Sequence, residues 1–226
     1  MCGRLNTYAR SVAKASQELN VINPNEQIYK RFIRATDPVS IIVEANNTRI
    51  IDNATWWLLL EKEDHQFKPS RFTSFNTRSD KLNVPNSAGY QSFRHHRCLI
   101  PVKGFGETEF VNKKPIHYVD FTVDEGEYMC LGGLYRQWRT GDSIVTSCSV
   151  ITLPPHQKLK HIHSKASPLI IPKDRYVDWL NPENTDVTQF SNLMLPNLPH
   201  DLSAQKIDKP SSYQPIGDVE KIAADI

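Results

Sequence analysis

CLIPVKGFGE, residues 98–107, is the stretch that decides the fold. Its apolar first half predicts a buried strand, and Gly104 and Gly106 predict a turn that presents Glu107. A carboxylate bracketed by glycines lets a substrate come close to the backbone, so Glu107 is a candidate acid–base residue. The alternative is a glutamate that is simply exposed beside a hairpin turn, as most surface glutamates are.

Strand-like segments lie on both sides of this stretch, and helical segments are few. Strands are predicted within residues 28–60, 117–123, 127–138 and 143–153. Short helices are predicted at residues 8–19 and at 173–180, the second with Tyr176, Val177 and Leu180 inward. The polar segment 61–74 is predicted to be a loop. We therefore expect an α+β fold, with a mostly antiparallel, barrel-like sheet and a few peripheral helices.

The composition is that of a soluble globular protein. Hydrophobic residues make up 39% and charged residues 23% of 226 residues, and no linker or repeat divides them, so we expect one domain over residues 1–226. A net charge of +2 allows only a local nucleic-acid-binding patch. Residues 1–25 lack a signal-peptide core and no run has the length of a membrane span, so we expect a cytoplasmic, nucleoid-associated protein without a membrane partner.

The cysteines divide into two groups. Cys98, Cys130 and Cys148 lie in apolar runs without C-x-x-C spacing, which predicts buried thiols rather than disulfides or zinc ligands. Cys2 follows the initiator methionine. If Met1 is removed, Cys2 carries an α-amine and a thiol with reference pKa values of roughly 7.7–8.0 and 8.5. Such an aminothiol can attack an acyl carbon through sulfur, or close on an aldehyde as a thiazolidine. The alternative is a terminal thiol with no role.

Polar residues on other segments complete a candidate site. Asn76 lies in a polar segment after a predicted strand, and His163 precedes an apolar strand. Cys2, Asn76, Glu107 and His163 thus lie on four separate segments, each at a strand end or turn. Sites are commonly assembled in this way at one end of a β scaffold.

Several motifs together resemble the SRAP family, the SOS response-associated peptidases, whose best-understood members are abasic-site processing proteins that crosslink to DNA. The motifs are the opening Met-Cys-Gly-Arg, Asn76-Thr77-Arg78, the run RCLIPVKGFGE at 97–107, LGGLY at 131–135, and His163. The resemblance is clearest over residues 1–182, with 183–226 expected as an extension packed on the same domain. Gly106, Thr108, Ala166 and Ser167 depart from the family pattern.

The resemblance implies a function for each candidate residue. The expected partner is single-stranded DNA with an abasic site, whose ring-opened aldehyde would form a thiazolidine with Cys2. Glu107 would position the amine and move protons, and His163, with a near-neutral pKa, would protonate the sugar oxygen. Asn76 would hold Cys2 or the sugar. Autoproteolytic and lyase-like activities are also implied, and we expect a monomer without cofactor or metal.

The same resemblance points to the DNA-binding residues. Arg4 and Arg78 are the best phosphate ligands because a guanidinium can bind two oxygens. Lys165 would replace an arginine of the family, and Arg97 lies in a basic cluster. Alternation puts one ring of the Trp56–Trp57 pair in the core, and Trp57 is the predicted stacking residue.

Three other functions compete with this one. Met-Cys-Gly also begins class II glutamine amidotransferases, in which an N-terminal cysteine attacks an amide, but their later signatures are missing. A zinc site would have to be drawn from residues without a recognised spacing: His95, His96, Cys98, His161 and His163. A pure DNA-binding module would leave the grouping of Cys2, Glu107 and His163 without an explanation.

Overall fold

The computed structural model describes residues 3–212 and 214–225. Strands account for most of the regular structure in this part of the chain. In chain order they are β1 (Arg4–Asn6), β2 (Ile33–Arg34), β3 (Pro38–Ala45), β4 (Thr48–Thr55), β5 (Leu60–Glu63), β6 (Gln66–Pro69), β7 (Asn76–Arg78), β8 (Arg97–Val102), β9 (Gly104–Val111), β10 (Lys114–Thr122), β11 (Met129–Thr140), β12 (Ser143–Leu153), β13 (Ser167–Pro168), β14 (Ile170–Ile171), β15 (Leu202–Ile207) and β16 (Glu220–Ile222).

Helices are short and peripheral. The α-helices are α1 (Ala13–Glu18), α2 (Tyr90–His95) and α3 (Tyr176–Leu180). Single turns of 3₁₀-helix and one longer 3₁₀ segment occupy Arg10–Val12, Pro24–Glu26, Ser79–Lys81, Gln157–Leu159, Lys173–Arg175 and Val187–Met194. None of the helices in the described ranges is long and apolar enough to cross a membrane.

Five strands close into a barrel in the order β4, β3, β8, β11 and β12, because β12 pairs with both β11 and β4. The pairings are antiparallel except for a parallel contact between Ser147 of β12 and Thr55 of β4. The predicted fold class, a β-rich α+β protein with a barrel-like antiparallel sheet, is therefore confirmed. Both faces of β3 are buried, since Ile41 and Val43 face one apolar cluster and Ile42 faces another. This explains an apolar run without alternation.

A second sheet lies against the barrel and carries the candidate site. Its order is β16, β15, β10, β9, β1 and β2. The chain passes from the barrel into this sheet at Lys103, between β8 and β9. Phe105 of β9 stacks on Phe121 of β10 with ring centroids 5.1 Å apart, inside the cluster that also contains β3 and β8 side chains. Since β15 and β16 extend the sheet beyond β10, the chain beyond residue 182 contributes to the sheet that holds Glu107.

The glycines of residues 98–107 have a different structural role from the predicted one. Glu107 lies within β9 and not in a turn, so that prediction is wrong. A Cβ atom at Gly104 would lie 2.2 Å from the carbonyl oxygen of Phe121. Gly104 is needed because two strand backbones approach closely, not because the chain turns.

Other predictions are confirmed or corrected. Cys98, Cys130 and Cys148 are free and buried, as predicted. The helix predicted at residues 8–19 is shorter, a 3₁₀ turn followed by α1. Residues 61–74 are not simply a loop, because most of β5 and all of β6 lie there as a hairpin. The sequence hides this hairpin because residues 61–64 are consecutive charged residues and apolar alternation is missing. Lys68 pairs with Glu61 across the hairpin at 3.8 Å.

The helix predicted at residues 173–180 is present as a 3₁₀ turn followed by α3. Tyr176 and Leu180 are buried as predicted, but Val177 is 54% exposed and Trp179 takes the inward position. Residues 176, 179 and 180 share one helix face, and residue 177 is turned about 100° away from it.

Candidate active site

Glu107 is a buried carboxylate in the middle of a sheet. It lies on β9, between β1 and β10, opposite Val119 of β10, and the residue is 2% exposed. Burial disfavours the charged form, and it raises the pKa of Glu107 to about 7 although the nearby Arg4 acts in the opposite direction. A carboxyl with this pKa can both hold and release a proton near neutrality.

His163 lies directly against Glu107. Its backbone N–H donates to the carbonyl of Leu159 at 2.8 Å, which closes the turn after the 3₁₀-helix Gln157–Leu159. Its Nε2 atom lies 3.4 Å from Oε2 of Glu107. The residue is 4% exposed, and burial lowers the pKa of His163 to about 4. The predicted near-neutral pKa is wrong, because it ignored desolvation, and His163 is a neutral imidazole at neutral pH.

A second carboxylate, Glu109, lies on the other side of the imidazole. Its Oε2 atom is 3.0 Å from Nδ1 of His163. Ser164 donates to the same carboxylate through its backbone N–H at 3.1 Å and its hydroxyl at 2.7 Å. Sequence analysis missed Glu109, although strand alternation puts residues 107 and 109 on one face of β9. The imidazole thus lies between two carboxyl groups of one strand.

Arg4 supports β9 from the neighbouring strand. It lies opposite Gly106, is 6% exposed, and donates to the carbonyl of Glu107 at 3.0 Å and the hydroxyl of Thr108 at 3.0 Å. It also pairs with Asp120 at 3.3 Å. A guanidinium so buried and engaged is directed into the sheet, and a contact of Arg4 with phosphate stays a prediction.

Cys2 lies outside the described residues. The next residue, Gly3, donates its N–H to the carbonyl of Gly106 at 3.4 Å. The described chain therefore begins beside the strand that carries Glu107.

Asn76 and Arg78 lie on β7, which runs parallel to β12. Between them, Thr77 is buried and its hydroxyl is 2.8 Å from that of Ser149. Asn76 is half-buried, and Arg78 is exposed with both its Nε and Nη2 on the carboxylate of Asp80, at 2.9 and 2.7 Å. Because alternate residues share one strand face, Asn76 and Arg78 extend to the same side.

Arg78 and Lys165, both predicted DNA-binding residues, line one open cleft of about 490 Å³. Lys165 follows His163 by two residues, and its Nζ atom lies 5.1 Å from the ring centroid of Phe110. The remaining lining residues are Ser79, Asp80, Thr152, Leu153, Pro154, Pro155 and Ala166. The segment 163–166 thus joins the buried Glu107–His163 pair to a cleft with two cationic side chains.

Arg97 has a structural position. It is 3% exposed and donates to four backbone carbonyls, those of Phe93, Arg94, Trp179 and Asn181, at 2.6–2.9 Å. These contacts hold α2 and α3 on β8. The guanidinium is buried and bonded inside the protein, and a contact of Arg97 with DNA stays a prediction.

The tryptophan pair divides as alternation predicts. Trp56 is fully buried and donates to the carbonyl of Phe75 at 2.8 Å. Trp57 is half-buried, donates to the carbonyl of Ser70 at 3.2 Å, and packs on Phe75 with ring centroids 5.8 Å apart. Of the pair, Trp57 is the ring that retains exposed surface.

The residues considered for a zinc site do not come together. His161 binds Glu220 at 2.6 Å, His163 lies between Glu107 and Glu109, and Cys98 is buried in the barrel. Among residues 3–212 and 214–225 no group of three or more His, Cys, Asp or Glu side chains could hold a metal ion.

Fold and site together define a β-barrel protein with a buried carboxyl–imidazole pair beside a cationic cleft. The model of the SOS response associated peptidase (SRAP) family matches residues 1–210, and the chain belongs to this family. The resemblance inferred from the sequence motifs is therefore confirmed.

Curated relatives of the chain are named for abasic site processing. Two Bacillus subtilis proteins named abasic site processing proteins, YobE and YoaM, are 29% and 30% identical to this chain over 112 residues, or 49% of it. The match covers 51% and 49% of those two proteins, so the chain spans about half the length of the curated relatives it matches.

Solved structures show the same fold at low sequence identity. A protein from Bacteroides thetaiotaomicron superposes with a TM-score of 0.70 at 17% identity, covering 92% of this chain and 93% of that one. A protein from Bordetella bronchiseptica gives 0.69 at 15% identity, covering 92% and 100%. At such identities the likeness extends to the fold alone.

Proposed function

We propose that this protein senses abasic sites in single-stranded DNA and forms a covalent thiazolidine with them through Cys2, after removal of Met1, which shields the lesion. The observation that carries the proposal is the buried pair of Glu107 and His163, which are 3.4 Å apart. Glu107 lies on β9, the strand whose Gly106 carbonyl accepts a hydrogen bond from the N–H of Gly3. Family membership and relatives named for abasic site processing support the choice of substrate.

The first chemical step is the opening of the closed sugar. The C1′–O4′ bond breaks, the 1-hydroxyl loses a proton as the aldehyde forms, and the ring oxygen gains one. A neutral acid–base pair can perform both transfers without a change in total charge. With its pKa near 7, Glu107 supplies a proton, and neutral His163 accepts one through Nε2. These roles differ from the predicted one, in which a charged His163 was the acid.

The second step joins Cys2 to the aldehyde. The α-amine adds to C1′ and loses water to give an imine, and the thiol then adds to the imine carbon while its proton passes to nitrogen. The balance is one aldehyde and one aminothiol giving one thiazolidine and one water. Ionised Glu107 accepts the proton that the amine releases as it attacks. The imine would also permit strand cleavage by β-elimination, which is the lyase-like activity of the proposal.

The cleft with Arg78 and Lys165 supplies the DNA contact in this proposal. Both cations are exposed or open to the cleft, and a phosphate there would lie next to the segment of His163. Asn76, on the same strand face as Arg78, would hold the sugar through its amide. Trp57 has the remaining exposed indole surface on which a base could stack.

Intact mass spectrometry tests the proposal. The protein is mixed with single-stranded DNA that carries one abasic site, and its mass should first show the loss of Met1 and then rise by the mass of the DNA minus one water. Cys2→Ala should form no adduct, and Glu107→Gln should slow its formation by about 10²-fold or more. The matched control is Glu220→Gln, whose carboxylate contacts a different histidine, His161. An undiminished adduct yield in Cys2→Ala would refute the thiazolidine.

A further inference from the structure

The contact between Glu109 and His163 constrains where the hydrogen of the imidazole lies. A neutral imidazole has one nitrogen that donates and one that accepts, and an ionised carboxylate only accepts. Oε2 of Glu109 is 3.0 Å from Nδ1 of His163. A contact of this length between a carboxylate and a ring nitrogen is favourable only when that nitrogen carries the hydrogen.

Glu109 is held in the state that this argument requires. Its carboxylate accepts two hydrogen bonds from Ser164, at 3.1 and 2.7 Å. Burial acts to raise the pKa of Glu109, but the two Ser164 hydrogen bonds act more strongly in the opposite direction and help to hold this pKa below its usual value. Glu109 is therefore a fixed acceptor, oriented by a residue adjacent to His163.

We propose that Glu109 is a positioning residue that keeps the hydrogen of His163 on Nδ1, so that Nε2 presents a lone pair to Glu107 and to the substrate. The Nε2 atom, 3.4 Å from Oε2 of Glu107, is then the acceptor in the pair, and the proton they share lies on the Glu107 side. The catalytic consequence rests on the proposed function, whereas the tautomer itself does not. Within the described residues, the other groups near the imidazole are Lys165 on its own segment and His117 on β10, whose Nε2 is 2.8 Å from the carbonyl of Ile162.

Glu109→Ala is the substitution that tests the tautomer. It removes the acceptor at Nδ1, so a share of His163 should then carry the hydrogen on Nε2, where it leaves no lone pair for Glu107. Glu109→Gln is the conservative comparison. Oε2 of Glu109 faces both the backbone N–H of Ser164 and Nδ1 of His163, whereas the Ser164 hydroxyl faces Oε1. The amide oxygen should take the Oε2 position, because the backbone N–H needs an acceptor and the hydroxyl can also accept, so Glu109→Gln should keep the hydrogen on Nδ1.

Nitrogen-15 NMR of the histidine side chains reads the tautomer directly. In the wild-type protein and in Glu109→Gln, His163 should be neutral with the hydrogen on Nδ1, and in Glu109→Ala it should become a mixture that includes the Nε2–H form. Glu220→Gln is the matched control, since its carboxylate contacts His161 at 2.6 Å and it should leave His163 unchanged. An Nε2–H form in the wild type, or a tautomer unchanged in Glu109→Ala, overturns the proposal.

The rate of adduct formation tests the consequence. Glu109→Ala should lower the rate with abasic single-stranded DNA by about twofold or more, a part of the roughly 10²–10⁴-fold that an acid–base group contributes, and Glu109→Gln should keep most of the wild-type rate. Affinity for undamaged single strands should stay the same, since Glu109 lies outside the cleft of Arg78 and Lys165. A wild-type protein that forms no adduct refutes the proposed function, while the NMR result still decides the tautomer. A normal rate in a variant with the shifted tautomer refutes the positioning role.

Discussion

The guanidinium of Arg4 lies across Gly106: a Cβ atom at residue 106 would be 2.5 Å from Nε and 2.6 Å from Nη2 of Arg4. The two residues are directly opposite each other on β1 and β9. Gly106 departs from the family pattern, and the guanidinium beside it belongs to an arginine that donates to the backbone carbonyl of Glu107. The identity of residue 106 and the position of Arg4 are therefore coupled.

Gly106→Ala should displace Arg4 from Asp120 and from the carbonyl of Glu107, because a methyl group cannot share the space of the guanidinium. The expected loss of unfolding free energy is about 1–3 kcal/mol, the usual cost of overpacking. Chemical denaturation measures it. Combining Gly106→Ala with Arg4→Ala is the control: the cost of the methyl group should largely vanish in the Arg4→Ala background. Equal costs in both backgrounds would show that the two residues are not coupled.

Glu107 should make stability depend on pH. In the unfolded chain its carboxyl ionises near 4.5, and in the folded protein near 7. Between these values the unfolded chain has released its proton and the folded chain still holds it, so a rise in pH favours unfolding. The stabilising contribution is complete below pH 4.5 and is lost as the pH rises through 7.

Glu107→Gln has no such proton, so its unfolding free energy should rise relative to that of the wild type as the pH increases from 4.5 to 7. The total gain is about 3 kcal/mol, at about 1.4 kcal/mol for each unit of pKa difference. Urea denaturation of both proteins at a series of pH values measures it. A difference in unfolding free energy that stays constant between pH 4.5 and 7 would contradict the raised pKa.

Arg78→Ala should weaken the binding of undamaged single-stranded DNA and reduce the salt dependence of the binding constant by about one unit of slope, because one phosphate contact is lost. Fluorescence anisotropy over a range of salt concentrations measures both. Arg139→Ala is the matched control, since Arg139 is an exposed arginine on β11 that does not line the cleft. An unchanged slope in Arg78→Ala would remove Arg78 from the phosphate ligands.

Asp80→Asn should have the opposite effect on the same binding. Asp80 holds the Arg78 guanidinium with two hydrogen bonds, at 2.9 and 2.7 Å, and so competes with a phosphate. Removing its charge should raise the affinity about two- to fivefold, which is the scale of an exposed ion pair. The gain should disappear when Arg78→Ala is also present. A gain that persists without Arg78 would mean that Asp80 acts only through the general charge of the cleft.

The three buried thiols should be unreactive while the protein is folded. Burial raises the pKa of Cys130 to about 12 and also raises the pKa values of Cys98 and Cys148, so the reactive thiolate form is suppressed. Titration with a disulfide reagent at neutral pH should detect at most one thiol in the folded protein and four after unfolding. In folded Cys2→Ala none should react. Rapid reaction of a second thiol would contradict the burial.

Several features of the fold follow from local sequence. The apolar run 143–153 corresponds to β12, residue for residue, because its strand character depends only on local composition and alternation. The burial of three cysteines was also predicted, whereas Glu107 was expected in a turn and lies within β9. In contrast, the hairpin of β5 and β6 was missed, since polar residues on a two-stranded ribbon lack the apolar alternation that marks a strand.

The sequence by itself determined most of the strands outside the β5–β6 hairpin, the chemical groups that could react and the family to which the chain belongs. Only the tertiary structure decided what those groups can do. Burial gives Glu107 a pKa near 7 and leaves His163 neutral, contacts with distant backbone carbonyls direct Arg4 and Arg97 into the protein, and Glu109 comes beside His163. The physical reason is that desolvation and hydrogen-bond partners depend on residues far apart in the chain, which local patterns do not contain.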